Sequence, residues 1–286
     1  MAQPVVWEMS IHMSVNTKSW QSSAIRGMSR PRAKLVASLS VIIALLAVGI
    51  SSFFVAAHFA HANPRASSTT NAAEDNFIRA NKTGSWGTTS NTDGLTNYPW
   101  QRSFGSSPFV SINANVGDIA FTLKDGHKVA GYVATTPAQS GDVLARIRFS
   151  NIGGAEGGVN LDNNSHGSQW YQADMNTDLH TIELRKRFNG IMTTVASFPF
   201  TFTPNTTYWL RVDVQVSNGV AQVNGRAWLD GTTEPTTWQV SYTDKTPLVA
   251  GYPGAMGDWF RPPPAGTLTG FTSWSYATTG LAVPAK

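Results

Sequence analysis

Apolar residues recur at every second position in three separate runs of this chain, a period that fits a pleated strand and not a helix. In GDVLARIRFS, Val143, Ala145, Ile147 and Phe149 share one side while Arg146 and Arg148 take the other. TYWLRVDVQV places Tyr208, Leu210, Val212, Val214 and Val216 on one side, with Trp209, Arg211, Asp213 and Gln215 opposite. HTIELRKRF sets Ile182, Leu184 and Phe188 against Glu183, Arg185 and Arg187. Such runs describe antiparallel strands with one face in a core and the other in water. Asp125-Gly126, Asn189-Gly190, Asn218-Gly219 and Asp230-Gly231 are dipeptides suited to tight hairpins. Asn218-Gly219 joins the Tyr208 run to AQVNGRAWL, and Asp230-Gly231 follows directly, so three successive strands are expected to meander. No helical stripe follows residue 75. Many strands without crossover helices predict an all-β fold, a two-sheet antiparallel jelly-roll sandwich of about 200 residues in one domain.

The chain ahead of this region has a different character. Arg30, Arg32 and Lys34 precede LVASLSVIIALLAVGISSFFVAA, an apolar stretch of about 23 residues that is long enough to span a bilayer. Ala60-His61-Ala62 after it has the small-x-small pattern of a signal-peptidase site. The sequence therefore divides into a basic stub (1–34), a signal peptide or membrane-anchor helix (35–62), a small polar linker (63–74), a β-sandwich (75–280) and a short tail (281–286). Basic flanks stay on the cytoplasmic side, so the sandwich is expected outside the membrane, which it meets only through the N-terminal segment. Five of the 21 basic residues and one of the 17 acidic residues lie before Leu35, which leaves sixteen of each beyond it. A neutral domain offers no excess of Lys and Arg to displace phosphate counterions, so no nucleic-acid partner is expected.

The chain has no cysteine, which excludes disulfides, thiol nucleophiles and thiolate metal sites. His127, His166 and His180 are too scattered for a zinc site. Asp162-x-Asn164-x-His166-Gly167 imitates the start of a calcium loop, but Ala173 stands where a bidentate acid is needed, so a polar turn is expected. Glycoside hydrolysis needs two facing carboxyl groups. The candidates Glu183, Asp213, Asp174 and Asp178 lie on different segments and would have to assemble across strands.

Surface recognition fits the pattern better. If the Tyr208 and Ala221 strands pair through Asn218-Gly219, Trp209 and Arg211 share a sheet face with Asn224, Arg226 and Trp228. Arg146, Arg148, Glu183 and Arg185 are candidates to join it from other strands. Sugar rings stack their C–H faces on indoles and pair their hydroxyls with Arg and carboxylates, so Trp209, Arg211, Trp228, Arg226, Arg146 and Glu183 are the expected ligand-binding residues. Trp86, Trp100, Trp238, Trp259 and Trp274 are assigned to the core or to hairpin support, with Trp238 bracing the turn after Trp228.

DNFIRANKTGSWGTTSNTDGLTNYPW from Asp75 to Trp100, then YWLRVDVQV, RAWLDGTTEPTTWQV and AGYPGAMG from Ala250 to Gly257, resemble the order of motifs in concanavalin A-like, laminin G-like jelly-roll domains of exported bacterial proteins. The resemblance spans most of Asp75 to Ala277. It implies a glycan-binding module, an adhesion domain, a glycoside hydrolase or a polysaccharide lyase. The hydrolases' Glu-x-Asp-x-Glu run is absent. Calcium, often held in such domains between an acid near the first strand and acids in the last, finds Asp75 at the first position but Thr272 and Ser273 at the second. No catalytic residue, metal ligand or cofactor is assigned. The expected function is an extracellular non-catalytic carbohydrate-binding or adhesion module with a polysaccharide or glycan ligand, the alternatives being a polysaccharide-active hydrolase or lyase and a structural cell-surface protein.

Overall fold

The computed structural model of the chain describes residues 71–91, 95–105, 110–120, 129–259 and 261–286. The basic stub, the apolar segment 35–62 and Asp125-Gly126 lie outside the described residues. Among those described, no helix is long and apolar enough to cross a membrane.

The described strands form two antiparallel sheets. One runs in the order β14 (Val240–Asp244), β13 (Val220–Leu229), β12 (Thr207–Ser217), β7 (Gly141–Phe149), β16 (Leu268–Ala277), β5 (Val116–Ala120), β4 (Val110–Asn113) and β2 (Lys82–Thr83), with β1 (Ala73–Asp75) also paired to β16. The other runs β11 (Ile191–Pro199), β10 (Thr181–Phe188), β9 (Trp170–Asn176), β8 (Ala155–Asn163), β15 (Tyr252–Trp259), β6 (Val129–Val133) and β3 (Trp100–Phe104). The chain crosses between sheets after β2, β3, β5, β6, β7, β11, β14 and β15, which makes the sandwich a jelly roll.

The alternating apolar residues meet between the sheets. Val143, Ala145, Ile147, Phe149, Leu210, Val212 and Val214 from the first sheet share one buried cluster with Val159, Ala173, Met175, Ile182 and Leu184 from the second. Trp86, Trp100 and Trp274 close one part of this core, with ring centroids 4.9 Å apart for Trp86 and Trp100 and 5.0 Å for Trp100 and Trp274. Their indole N–H groups are satisfied: Trp100 Nε1 donates to Asp75 at 2.7 Å, and Trp86 and Trp274 donate to backbone carbonyls.

β12 and β13 pair through Asn218-Gly219 in the expected register, both residues having positive φ (51° and 74°), the requirement of a type I′ turn. β14 completes the meander, although the connection is the ten-residue loop 230–239 and not a tight turn. Two expectations need correction. Phe188 is exposed: it sits at the hairpin tip, beyond the part of β10 where Ile182 and Leu184 reach the core. The polar sides of the strands are also largely withdrawn from solvent, every residue of β8 and β9 being buried. Polarity alternates there while burial does not. Both ends of the sandwich sequence are drawn in as well: Ala73 and Glu74 are buried in β1, Leu281 is buried, and Ala282 packs with Leu144 and Trp228.

Candidate functional site

The outer face of the first sheet brings together five of the six residues singled out from sequence. Trp209 lies opposite Trp228, and Arg211 opposite Arg226, across the β12–β13 ladder, while Arg146 faces Trp209 from β7. The two indoles stack with centroids 6.2 Å apart and planes 17° from parallel. The loop 230–239 and the C-terminal tail then fold onto this face. Arg211 donates through Nε and Nη2 to Glu234, at 2.6 and 3.0 Å, and through Nη1 to Asp142 and to the Ala282 carbonyl. Arg226 pairs with Glu234 at 2.6 Å, donates to the Pro235 carbonyl and lies 4.2 Å from the Trp238 ring, so Trp238 braces the loop through that guanidinium. Trp209 Nε1 donates to Asp230 at 2.8 Å, and Arg146 pairs with the same carboxylate, which holds it below the usual carboxylate range. Arg211 is 2% exposed and Trp228 8%; of the six, Trp209 and Arg146 keep partial exposure. The expected open platform is thus an internal ion-pair network beneath a loop and a tail. Burial pushes Asp142 up to about 7 despite Arg211 beside it.

Glu183, the sixth residue, lies in the other sheet, and Arg185 with it. On the outer face of β8, β9, β10 and β15, register aligns Glu183 with Asp174 and Gly158, and in the next row Asp258 with Glu156 and Asn176. Arg185 reaches into this acidic group. It pairs with Glu156 at 2.7 Å, with Glu183 at 2.6 Å and with Asp174 at 3.1 Å. Neither oxygen of Asp174 accepts a hydrogen bond, and its side chain is 0% exposed. Burial lifts Asp174 well above the ordinary carboxylate range, against Arg185 and with help from Glu156, Asp258 and Glu183. Glu156 rises for the same first reason, opposed by its hydrogen bonds to Arg185. Burial works against the charge on Arg185 too, but the surrounding carboxylates outweigh it and hold the guanidinium protonated.

The face continues from acidic to amide to aromatic. Two register pairs from Asp174, Gln172 and Asn160 lie opposite each other, fully buried, with Gln172 Nε2 and Asn160 Nδ2 lacking a hydrogen-bond acceptor. Beyond them Trp170 donates to Gln172 at 2.8 Å, the Arg187 guanidinium lies 4.8 Å from the Trp170 ring, and Tyr132 stacks on Tyr252 at 4.8 Å. Gly158 keeps the floor low: a Cβ there would stand 2.7 Å from the Ala173 carbonyl and 3.1 Å from Asp174 Oδ1. Of the carboxyl candidates read from sequence, Asp174 and Glu183 meet here. Asp213 is in the other sheet, and Asp178 pairs with Arg261. Sequence reasoning missed Glu156, Asp258, Gln172 and Asn160. The signal that could have found Glu156, Asn160 and Gln172 is the alternation of polar residues along AEGGVNLDN and WYQADMN.

Asp75 does not fit the calcium position that its resemblance implies. Its Oδ1 accepts from the Phe77 N–H at 2.8 Å and pairs with Arg79, and its Oδ2 accepts from Trp100. Trp274 is its neighbour on β16. No group of three or more His, Cys, Asp or Glu suited to a metal ion occurs among the described residues.

No protein-family model matches the chain, and comparison with curated proteins gives no match. Among solved structures, the chain is similar to a carbohydrate binding module, CBM66 from Bacillus subtilis, at 12% identity over 64% of this chain and 94% of that one, with a TM-score of 0.44. It is similar to a Bacillus licheniformis beta-glucanase at 13% identity, over 73% and 99% of the two chains, with a TM-score of 0.47. A basic winged bean lectin with Tn-antigen gives 12% identity, 62% and 90% coverage and a TM-score of 0.40. Strand order and the shared core between the two sheets establish the fold as a two-sheet antiparallel β-sandwich.

Proposed function

We propose that this domain binds glycan chains along the outer face of the sheet that carries β8, β9, β10 and β15. The observation that supports this reading most directly is the unused hydrogen-bonding capacity of Asp174, Gln172 and Asn160, side by side on one face with Trp170 next in line. Buried polar atoms cost about 1–3 kcal/mol each when unmatched, and sugar hydroxyls supply both the donors and the acceptors they lack. Aromatic side chains at the far end suit the apolar faces of pyranose rings. The first sheet's outer face serves this reading less well, because Arg211 and Arg226 are engaged by Glu234, Asp142 and backbone carbonyls. With the basic stub and apolar segment ahead of it, the module would act outside the cell, secreted or tethered.

Retention on immobilised polysaccharides tests the site. Gln172→Ala is expected to weaken retention at least fivefold with its circular dichroism unchanged, while Trp209→Ala on the other sheet leaves retention intact. The reverse outcome would put the ligand over Trp209 and Arg146. One observation favours a second reading, hydrolysis: Asp174 is a carboxyl that burial raises well above the ordinary carboxylate range and that is set directly across the ladder from Glu183, the kind of pairing an acid-base mechanism uses. Release of reducing ends from soluble polysaccharides would establish it, and Asp174→Asn should then abolish that release.

A further inference from the structure

We infer that a separate site lies at the rim of the sandwich, where a cleft between the two sheets takes a short aliphatic group ending in a carboxylate. The cleft is independent of the outer face described above. It has a volume of about 70 Å³ and opens to solvent where the β4 and β5 end of the first sheet meets β3, β6 and β15 of the second. Its walls are the rings of Trp86 and Trp100 with Val110, Ile119 and Val129. Both indole N–H groups are engaged elsewhere, Trp86 by the Asp118 carbonyl at 3.3 Å and Trp100 by Asp75 at 2.7 Å. The rings therefore offer only carbon to an occupant.

The cleft exists because Gly131 stands between Val129 and Val133 on the inward side of β6 and brings no side chain. A Cβ added there would meet the Gln101 carbonyl at 3.4 Å and the Trp100 ring at 3.6 Å, ordinary contacts, so the space is not closed by backbone. Arg102 supplies the charge. It follows Trp100 by two residues on β3, which puts it on the same side of the strand; it lines the cleft and is exposed. Arg146, Arg185, Arg211, Arg226 and Arg261 all have carboxylate partners, whereas Arg102 has no ion pair or hydrogen bond among the described residues. A guanidinium receives a carboxylate through two parallel N–H···O bonds. Volume sets the size of the rest: a dry cavity of about 150 Å³ admits benzene, so half of that suits about three or four carbons. A neutral guest leaves Arg102 unpaired, and a cation is repelled by it. The required chemistry occurs in a free short-chain acid and in an ether-linked lactate on a sugar.

Titration of the full-length protein at pH 7.5, followed at the indole N–H resonances of ¹⁵N-labelled tryptophan, tests the site. Butyrate is expected to shift the Trp86 and Trp100 resonances and to bind at least tenfold more tightly than butyramide or butylamine. Arg102→Gln should remove that advantage and leave the weak butyramide response unchanged. Gly131→Val fills the cleft from β6 and should abolish the response to both acid and amide, with the far-ultraviolet circular dichroism unchanged. If Gly131→Val fails to fold, the wild-type comparison and Arg102→Gln, a change at an exposed residue, decide. N-acetylmuramic acid set against N-acetylglucosamine identifies the source: binding of the former at least as tight as that of butyrate assigns the carboxylate to a glycan, and its failure to bind assigns a free acid. Equal binding of butyrate and butyramide, or no response to either carboxylate, would overturn the inference and leave the outer-face reading standing.

Discussion

Replacing Asp162 by Asn should remove a large part of the pH dependence of this protein's stability. Asp162 is 1% exposed, its Oδ2 has no hydrogen-bond partner, and burial pushes its carboxyl from 3.8 up to about 8. A carboxyl raised on folding contributes stability that is complete below its unfolded value and is lost as pH climbs to its folded value. Between pH 5 and pH 8 the unfolded group is ionised while the folded group still holds its proton. At 1.36 kcal/mol per pH unit, that window amounts to about 3–4 kcal/mol. Asparagine cannot ionise and tolerates the left-handed backbone of this position, where φ is 58°. Asp142 and Asp118, raised to about 7 and about 6, keep their own contributions in both proteins, so the difference between parent and variant isolates Asp162. Urea unfolding followed by tryptophan fluorescence at fixed pH should show Asp162→Asn gaining about 3 kcal/mol on the parent as pH goes from 5 to 8. Parallel stability curves for the two proteins would refute the reasoning.

Arg185→Met leaves Glu156, Glu183 and Asp174 buried without their shared cation and should cost about 3–5 kcal/mol at pH 7.5 in denaturant unfolding. The deficit should shrink toward pH 5, where the raised carboxyls take up protons. Removing residues 281–286 strips Leu281 from the core and takes the Ala282 N–H and carbonyl from Asp142 and Arg211. A loss of about 2–4 kcal/mol is expected, with a red-shifted emission as Trp228 meets water. Gly219→Val places a β-branched residue at φ 74° and should lower the urea midpoint by the equivalent of about 1–2 kcal/mol, with an unchanged slope.

The strands and their pairing were legible because side-chain period and turn dipeptides are local properties. The register that sets Trp209 against Trp228 follows from Asn218-Gly219 and from the need to bury Leu210, Val212 and Val214. Trp86, Trp100 and Trp274 went to the core, as their size suggests. The candidate site was less legible. Glu183 and Asp174 were recognised as carboxyls on different segments, yet nothing local says that β9 and β10 align them or that β8 and β15 add Glu156 and Asp258. Arg211 and Trp228 have the alternation of an exposed face, and only the return of the loop 230–239 and the tail covers them.

The order of amino acids alone determined that this chain makes pleated strands, where several of them turn and which side of each is apolar, since those follow from chirality, propensity and period along a few residues. Tertiary structure decided which strands became neighbours, that the polar sides would be buried as well, and which carboxyls share one guanidinium. Those outcomes depend on residues as far apart as Asp142 and Ala282, 140 positions along the chain, whose meeting is fixed by the packing of the whole sandwich and by no property of either segment.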